Sequence, residues 1–254
     1  MSELTREQDL KFNILANGIV IDPEAESAWL DQYEGPLTLG EYASTSGICL
    51  KVEDGGDGVY INAPFEGEFT KGAEATLRYA GRFAIERAGE EFETSIIPVP
   101  AYHGLTYTDG DKVLPYTNLG VTHTDRVRIS PVEGCGMVCR FCNIPYELKY
   151  RRKPQDELLE VIKLAKDDPQ NPARHVLISG GTPKIEDEPW EDDTYEYIAS
   201  ESPLPVDIMM TPREDPGYLR RLGSAGINQL SVNIEVFSPE RARRLIPTKN
   251  RRFG

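Results

Sequence analysis

The chain has 254 residues, 39% hydrophobic and 28% charged, the composition of an ordinary soluble globular protein of one large domain or two small ones; collagen, low complexity and wholesale disorder are excluded. No stretch approaches the roughly 18 consecutive apolar residues of a membrane-spanning helix, and Met1-Ser2-Glu3-Leu4-Thr5-Arg6-Glu7 lacks the basic-then-apolar layout of a signal peptide, so a cytoplasmic address is expected. The formal charge of -14 argues against a general nucleic-acid or anionic-membrane binder.

That charge is unevenly spread. Residues 1–124 hold 8 Lys/Arg against 21 Asp/Glu, whereas residues 125–254 hold 20 against 21, so the two halves present different surfaces. In the acidic half, Ser27 to Tyr33 reads as a short helix. Ile48 to Val52, the glycine-rich turn at Gly55-Gly56-Asp57-Gly58 and Val59 to Ile61 read as a β-hairpin. Glu93 to Val99 is strand-like and ends among Pro98 and Pro100. These features predict a small α+β accessory domain over residues 1–101. Residues 102–124, rich in Thr, Tyr, Gly and Pro with little periodicity, are expected to be a linker.

From Asp125 strand and helix alternate. Strands are predicted at Arg126–Ile129, His175–Ser179, Val206–Met210 and Gln229–Phe237. The intervening helices are predicted at Pro154–Ala165, with Leu158, Val161, Ile162 and Ala165 on one face, at Asp192–Ser200, and from Pro216 to a cap at Gly226 with Leu219, Leu222 and Ala225 as the buried stripe. A fourth helix opens at Ser238-Pro239-Glu240. Four such units predict an α/β fold over residues 125–254 with a parallel sheet and right-handed crossovers. In the fourth strand Leu230, Val232, Ile234 and Val236 alternate with Ser231, Asn233 and Glu235. If the apolar set packs on helices, the polar set lines a lumen on the other side of the sheet. The alternative is an edge strand with one wet face.

Three of the four cysteines, Cys135, Cys139 and Cys142, form a CxxxCxxC cluster directly after the first of these strands. Without a secretion signal such a cluster points to metal rather than disulfides. Thiolates are soft ligands that suit iron-sulfur clusters, zinc or copper(I). Three on one loop can hold three corners of a 4Fe–4S cube and leave the fourth iron open to a ligand. Cys49, remote in sequence, reads as a small buried apolar residue.

The motif, with Phe141 before the third cysteine, resembles the radical S-adenosylmethionine (radical SAM) superfamily, whose signature is CxxxCxΦC with an aromatic residue at Φ. The resemblance implies a partial (βα) barrel, a 4Fe–4S cluster on Cys135, Cys139 and Cys142, and S-adenosylmethionine on the open iron. It further implies reductive cleavage to a 5′-deoxyadenosyl radical that removes a hydrogen atom from a substrate, with the electron coming from a flavodoxin or ferredoxin-type donor. Gly180-Gly181-Thr182 ends the second strand where the family carries a glycine pair against the cofactor's amino group; the usual third residue is Glu, and here it is Thr182. Ser231, Asn233 and Glu235 resemble the Asn-x-Glu strand of lipoyl and biotin synthases and are expected, like Phe141, to contact the cofactor.

Other readings stand beside this one. Zinc could take the three thiolates with His123 or His175 as a fourth ligand, which makes the chain a zinc-binding module. A non-catalytic iron-sulfur scaffold or partner protein is a further alternative. Thr211 and Arg213 either touch the cofactor or cap the next segment. Lys149, Arg151, Arg152 and Lys153, and the terminal group from Arg241 to Arg252, read first as solvated faces. The sharper reading has Arg243 or Arg244 pair with the cofactor's carboxylate.

A core of this family usually has six βα units and only four are counted here. The chain therefore reads as truncated, or as completed by a further segment or another chain. Neither a second cysteine cluster nor the Asp-x-His-x-x-Gly motif of cobalamin-dependent methylases is present in these residues, and nothing in them names the substrate.

Overall fold

A computed structural model describes residues 4–32, 47–65 and 68–253, and the chain divides into two units, residues 1–101 with 169–171, and residues 102–168 with 172–254. The first unit opens on α1 (Arg6–Asn17), whose start is fixed by reciprocal bonds between Thr5 and Gln8 and whose end is the positive-φ Gly18. β1 (Ile19–Ile21), α2 (Pro23–Gln32), β2 (Ile48–Val52), β3 (Val59–Ala63), β4 (Ala75–Tyr79), β5 (Phe83–Arg87) and β6 (Glu90–Ile96) follow. The strands make one sheet in the order β1-β4-β5-β6-β2-β3, and the expected hairpin is β2 with β3, paired from Ile48↔Ala63 to Val52↔Val59. Leu10, Ile14 and Trp29 of the helices are buried in one core with Leu50, Ile61, Leu77 and Ile85. The helix expected at Ser27–Tyr33 begins earlier, with Pro23 as its first residue, and Tyr33 lies outside the described residues. The strand expected at Glu93–Val99 sits three residues earlier and stops before the prolines.

The second unit begins inside the segment expected to be a linker. Residues 102–124 carry β7 (Thr106–Asp109) and β8 (Lys112–Pro115), paired as a hairpin, then β9 (Gly120–His123), which joins the main sheet antiparallel to β10 (Arg126–Ile129). Four-residue strands rich in Thr, Tyr and Gly are too short to show an alternation. Tyr102, Tyr107 and Leu119 of this segment are nevertheless buried in the unit's core. β11 (Val132–Glu133), α3 (Ile144–Glu147) and β12 (Arg151–Arg152) come next. The remaining elements are α4 (Gln155–Lys166), β13 (His175–Ile178), α5 (Glu188–Glu201), β14 (Val206–Met209), α6 (Pro216–Ala225), β15 (Ile227–Ser231), α7 (Pro239–Leu245) and α8 (Pro247–Phe253).

The sheet order is β15-β14-β13-β10-β9, with β10, β13, β14 and β15 mutually parallel. Val127, Ile129, Val176, Ile178, Val206 and Ile208 pack on Leu158, Val161 and Ile162 of α4, Ile198 of α5 and Leu222 of α6. In α6 the buried residues are Tyr218 and Leu222; Leu219, expected in that stripe, is 52% exposed. A stripe of Tyr218, Leu222 and Ala225 keeps helical spacing and places the larger aromatic ring on the sheet.

β15 departs furthest from expectation. It ends at Ser231, and residues 232–237 form no strand. The register Met209↔Ser231 and Ile208↔Leu230 does put Ser231 on the face away from the helices. The apolar set, however, is not packed away: Leu230, Val232 and Ile234 are 39%, 44% and 68% exposed. Among the described residues β15 has a neighbour on one side only, so it is the edge strand of this sheet and its apolar side chains have little to pack against. No helix among the described residues is long and apolar enough to cross a membrane.

Candidate metal centre

The cysteine loop follows β10 at the carboxyl end of the parallel sheet. β11 and β12 pair antiparallel through Val132↔Arg152 and Glu133↔Arg151 and close the base of the loop. Arg151 holds that base by donating to Glu133 and, at 2.7 Å, to Asp109 Oδ2. All three cysteines are free thiols: Cys139 is buried, and Cys135 and Cys142 are half-buried. Burial pushes the Cys139 thiol up to about 11, opposed by the nearby Lys249 ammonium. Each of these thiols would have to lose a proton to ligate a metal.

The glycine pair after β13 lies directly against this loop. Thr182 N–H donates to Cys135 Sγ at 3.2 Å, Gly136 N–H donates to Thr182 O at 2.7 Å, and Met137 N–H donates to Cys135 Sγ at 3.4 Å. A Cβ on Gly181 would stand 1.7 Å from the Gly134 carbonyl oxygen, so glycine at 181 is a condition for the two segments to touch. Tyr150 OH donates to Asp187 Oδ2 at 2.6 Å and accepts from Lys184 N–H at 3.2 Å, which ties the far side of the loop to the same segment.

A second set of contacts comes from α7 and α8. Ala242 and Ile246 pack on Cys139, with Cys142 and Val236 against them. Arg140 N–H donates to Leu245 O at 2.8 Å, and Val138 N–H donates to Thr248 Oγ1 at 2.9 Å. Lys249 Nζ donates to Glu235 Oε1 at 2.5 Å, and Arg252 donates to Glu188 at the start of α5.

The other residues singled out in the sequence are placed as follows. Ser231 Oγ approaches Asn233 Oδ1 at 3.4 Å and Asn233 Nδ2 approaches Met209 Sδ at 3.3 Å, both on exposed residues, while Glu235 is held by Lys249. Phe141 is 59% exposed. Arg243 and Arg244 are exposed, on the side of α7 turned away from Ala242 and Ile246. His123 and His175 both pair with Arg126 at the start of β10, the opposite end of the strand from the cysteines, so neither is brought to the loop as a fourth zinc ligand. Among the described residues no three His, Cys, Asp or Glu side chains form a preformed metal cage. The donor set itself fits an iron-sulfur cluster: three free thiols on one loop, one of them already receiving two N–H donors.

The first charge run is not a plain solvated face, whereas Arg241, Arg243, Arg244 and Arg251 of the terminal run are exposed. Arg151 is paired with Glu133 and Asp109, Arg152 lies 5.3 Å over the Trp190 ring, and Lys153 is buried. Asp215, not Arg213, caps the next helix, α6; Arg213 is surrounded by Glu188, Glu191 and Asp192 of α5. The sequence reading missed Thr248, Lys249 and the Thr182 amide. The first two sit in what looked like a basic tail, and Pro247, which starts a new helix there, is the one local signal that the tail is structured.

Residues 129–253 match the protein-family model described as the radical SAM superfamily. The chain belongs to the radical SAM superfamily. The match begins at the last residue of β10 and runs through α8, so it takes in the cysteine loop, the glycine pair and the strap formed by α7 and α8. The four parallel strands and their helices fit an α/β partial barrel of this superfamily. No curated protein matches the chain.

Proposed function

We propose that this radical SAM protein is an enzyme that binds a 4Fe–4S cluster through Cys135, Cys139 and Cys142 and holds S-adenosylmethionine on the remaining iron. When bound, these groups supply reductive cleavage to a 5′-deoxyadenosyl radical, which removes a hydrogen atom from a substrate. The chain's own residues orient and shield. The β11–β12 base and the Gly180–Thr182 segment fix the cysteine loop from one side, and α7 and α8 cover Cys139 from the other, keeping water from that thiolate. Glu235, beside Cys139 and paired with Lys249, is the polar side chain of the fourth-strand set nearest the cysteines, and the Glu235–Lys249 pair offers both charges to the amino-acid part of the cofactor. Gly180, Gly181 and Thr182 line the same end of the sheet. The electron comes from a flavodoxin or ferredoxin-type donor in the cytoplasm.

The observation that carries this reading is the cysteine loop at the carboxyl end of β10, with three free thiols, packed on the glycine pair of the next parallel strand. Anaerobic reconstitution with iron and sulfide, followed by dithionite reduction with S-adenosylmethionine, tests it. Expected are a brown protein with about four irons per chain, as a 4Fe–4S cluster requires, and formation of 5′-deoxyadenosine; Cys139→Ala should hold no cluster. A colourless protein that takes zinc, or a cluster-bearing protein that yields no 5′-deoxyadenosine, would replace this reading with a zinc module or a non-catalytic scaffold.

A further inference from the structure

Among the described residues the three cysteines are not equivalent. Cys135 Sγ accepts two backbone N–H groups, from Met137 within the loop and from Thr182, 47 residues on, whereas Cys139 is packed among apolar side chains. The Thr182 donor is held on target by a return bond, Gly136 N–H to Thr182 O at 2.7 Å. The approach needs glycine on both sides: a Cβ at Gly136 would lie 2.6 Å from Lys184 N, and one at Gly181 would lie 1.7 Å from Gly134 O. Two strand ends have therefore been brought to backbone contact at the one cysteine whose sulfur the contact reaches.

We infer that the Gly181–Thr182 peptide is a positioning and tuning element for Cys135. Its N–H group fixes the direction of the sulfur and, by drawing charge from it, makes a cluster ligated there easier to reduce. The inference rests on the proposed cluster and deepens it by assigning a role to the backbone of the glycine motif. Hydrogen bonds to cluster sulfurs stabilise the reduced, more negative state and raise the reduction potential. Because the donor is an amide, the identity of side chain 182 is immaterial to it. That accounts physically for a Thr at this position being able to serve.

The test is the midpoint potential of the reconstituted cluster, followed by electron paramagnetic resonance in a redox titration without S-adenosylmethionine, so that turnover plays no part. Replacing the Thr182 amide nitrogen by an ester oxygen removes the N–H group alone and should move the potential to more negative values. Thr182→Val, which keeps the N–H group, should leave it in place. Gly181→Ala should lower cluster occupancy well below that of the unaltered protein, since the methyl group has no room beside Gly134. A wild-type potential in the ester variant, or full iron content in Gly181→Ala, overturns the inference while leaving the proposed cluster standing. Failure of the unaltered protein to form a cluster overturns both.

Discussion

The buried charges around Arg213 allow a sharp test of how this unit is held together. The Arg213 side chain is 6% exposed and donates to Glu191 Oε2 at 2.6 Å and to Asp192 Oδ1 at 2.8 Å, with Glu188 Oε1 at 3.8 Å. Its Nη1 also reaches Thr211 Oγ1 at 3.2 Å, so the arginine joins the end of β14 to the first turn of α5. Three carboxylates share one guanidinium, and burial outweighs the attraction at Glu191, whose carboxyl is pushed up to about 7. Arg213→Met would leave Glu191, Asp192 and Glu188 without their shared counter-ion, a loss of about 3–5 kcal/mol, or roughly 10 °C in Tm for a unit of this size. The pH dependence checks the cause. A carboxyl raised from 4.5 to about 7 stabilises the fold in its protonated form, a contribution complete below 4.5 and lost as pH rises through 7. At pH 5 Glu191 is protonated with or without Arg213, so its share of the deficit should vanish there and grow toward pH 8, on top of the constant share from the lost Asp192 and Glu188 contacts. Urea unfolding at both values measures it. An equal deficit at pH 5 and pH 8 would refute burial of the Glu191 charge as a cause. Arg213→Lys should not restore stability, because one ammonium cannot span three carboxylates.

Lys153 is buried with no ion pair among the described residues, and burial pushes it down to about 8 from an ordinary 10.5. Lys153→Met should therefore stabilise at pH 7 by about 1–3 kcal/mol, a gain that shrinks as pH climbs from 8 toward 10.5; destabilisation at pH 7 in urea unfolding would contradict this. Gly226, the cap of α6, has φ 102°, and the nearest atom to a Cβ placed there would be Ala199 O at 3.4 Å, so Gly226→Ala should cost about 1 kcal/mol from backbone strain alone. Thr248→Val removes the acceptor of the Val138 N–H group at nearly constant volume. Stability should fall by about 1 kcal/mol, and a reconstituted cluster should lose iron to a chelator faster than the unaltered protein does.

What could be read from the sequence and what could not divide along a physical line. The strands at Arg126–Ile129, His175–Ile178 and Val206–Met209 and the helix at Gln155–Lys166 fall within a residue or so of expectation, since each is a local hydrophobic pattern against one core. The short strands of residues 106–123 gave no such pattern. Leu219 fitted a helical stripe that the bulkier Tyr218 occupies instead, and the alternation from Leu230 to Val236 outran a ladder that stops at Ser231. In each case the neighbours decide, and neighbours distant in sequence leave no mark on local periodicity.

The same line runs through the site. Cys135, Cys139 and Cys142 declare themselves as candidate ligands because a metal site is signalled by side-chain type and spacing within eight residues. Lys249 and Thr248 reach the loop from more than a hundred residues away, and nothing in the basic run around them distinguishes them from Arg243 and Arg244, which point elsewhere. The Thr182 amide is further from view still, since every residue but proline carries the same N–H group. Its one trace in the sequence is indirect: glycines at 134, 136 and 181, whose missing side chains mark where two backbones must meet. A glycine pair beside a cysteine loop is thus legible as close approach, though not as close approach to which sulfur, and that distinction appears only when the strands are set side by side.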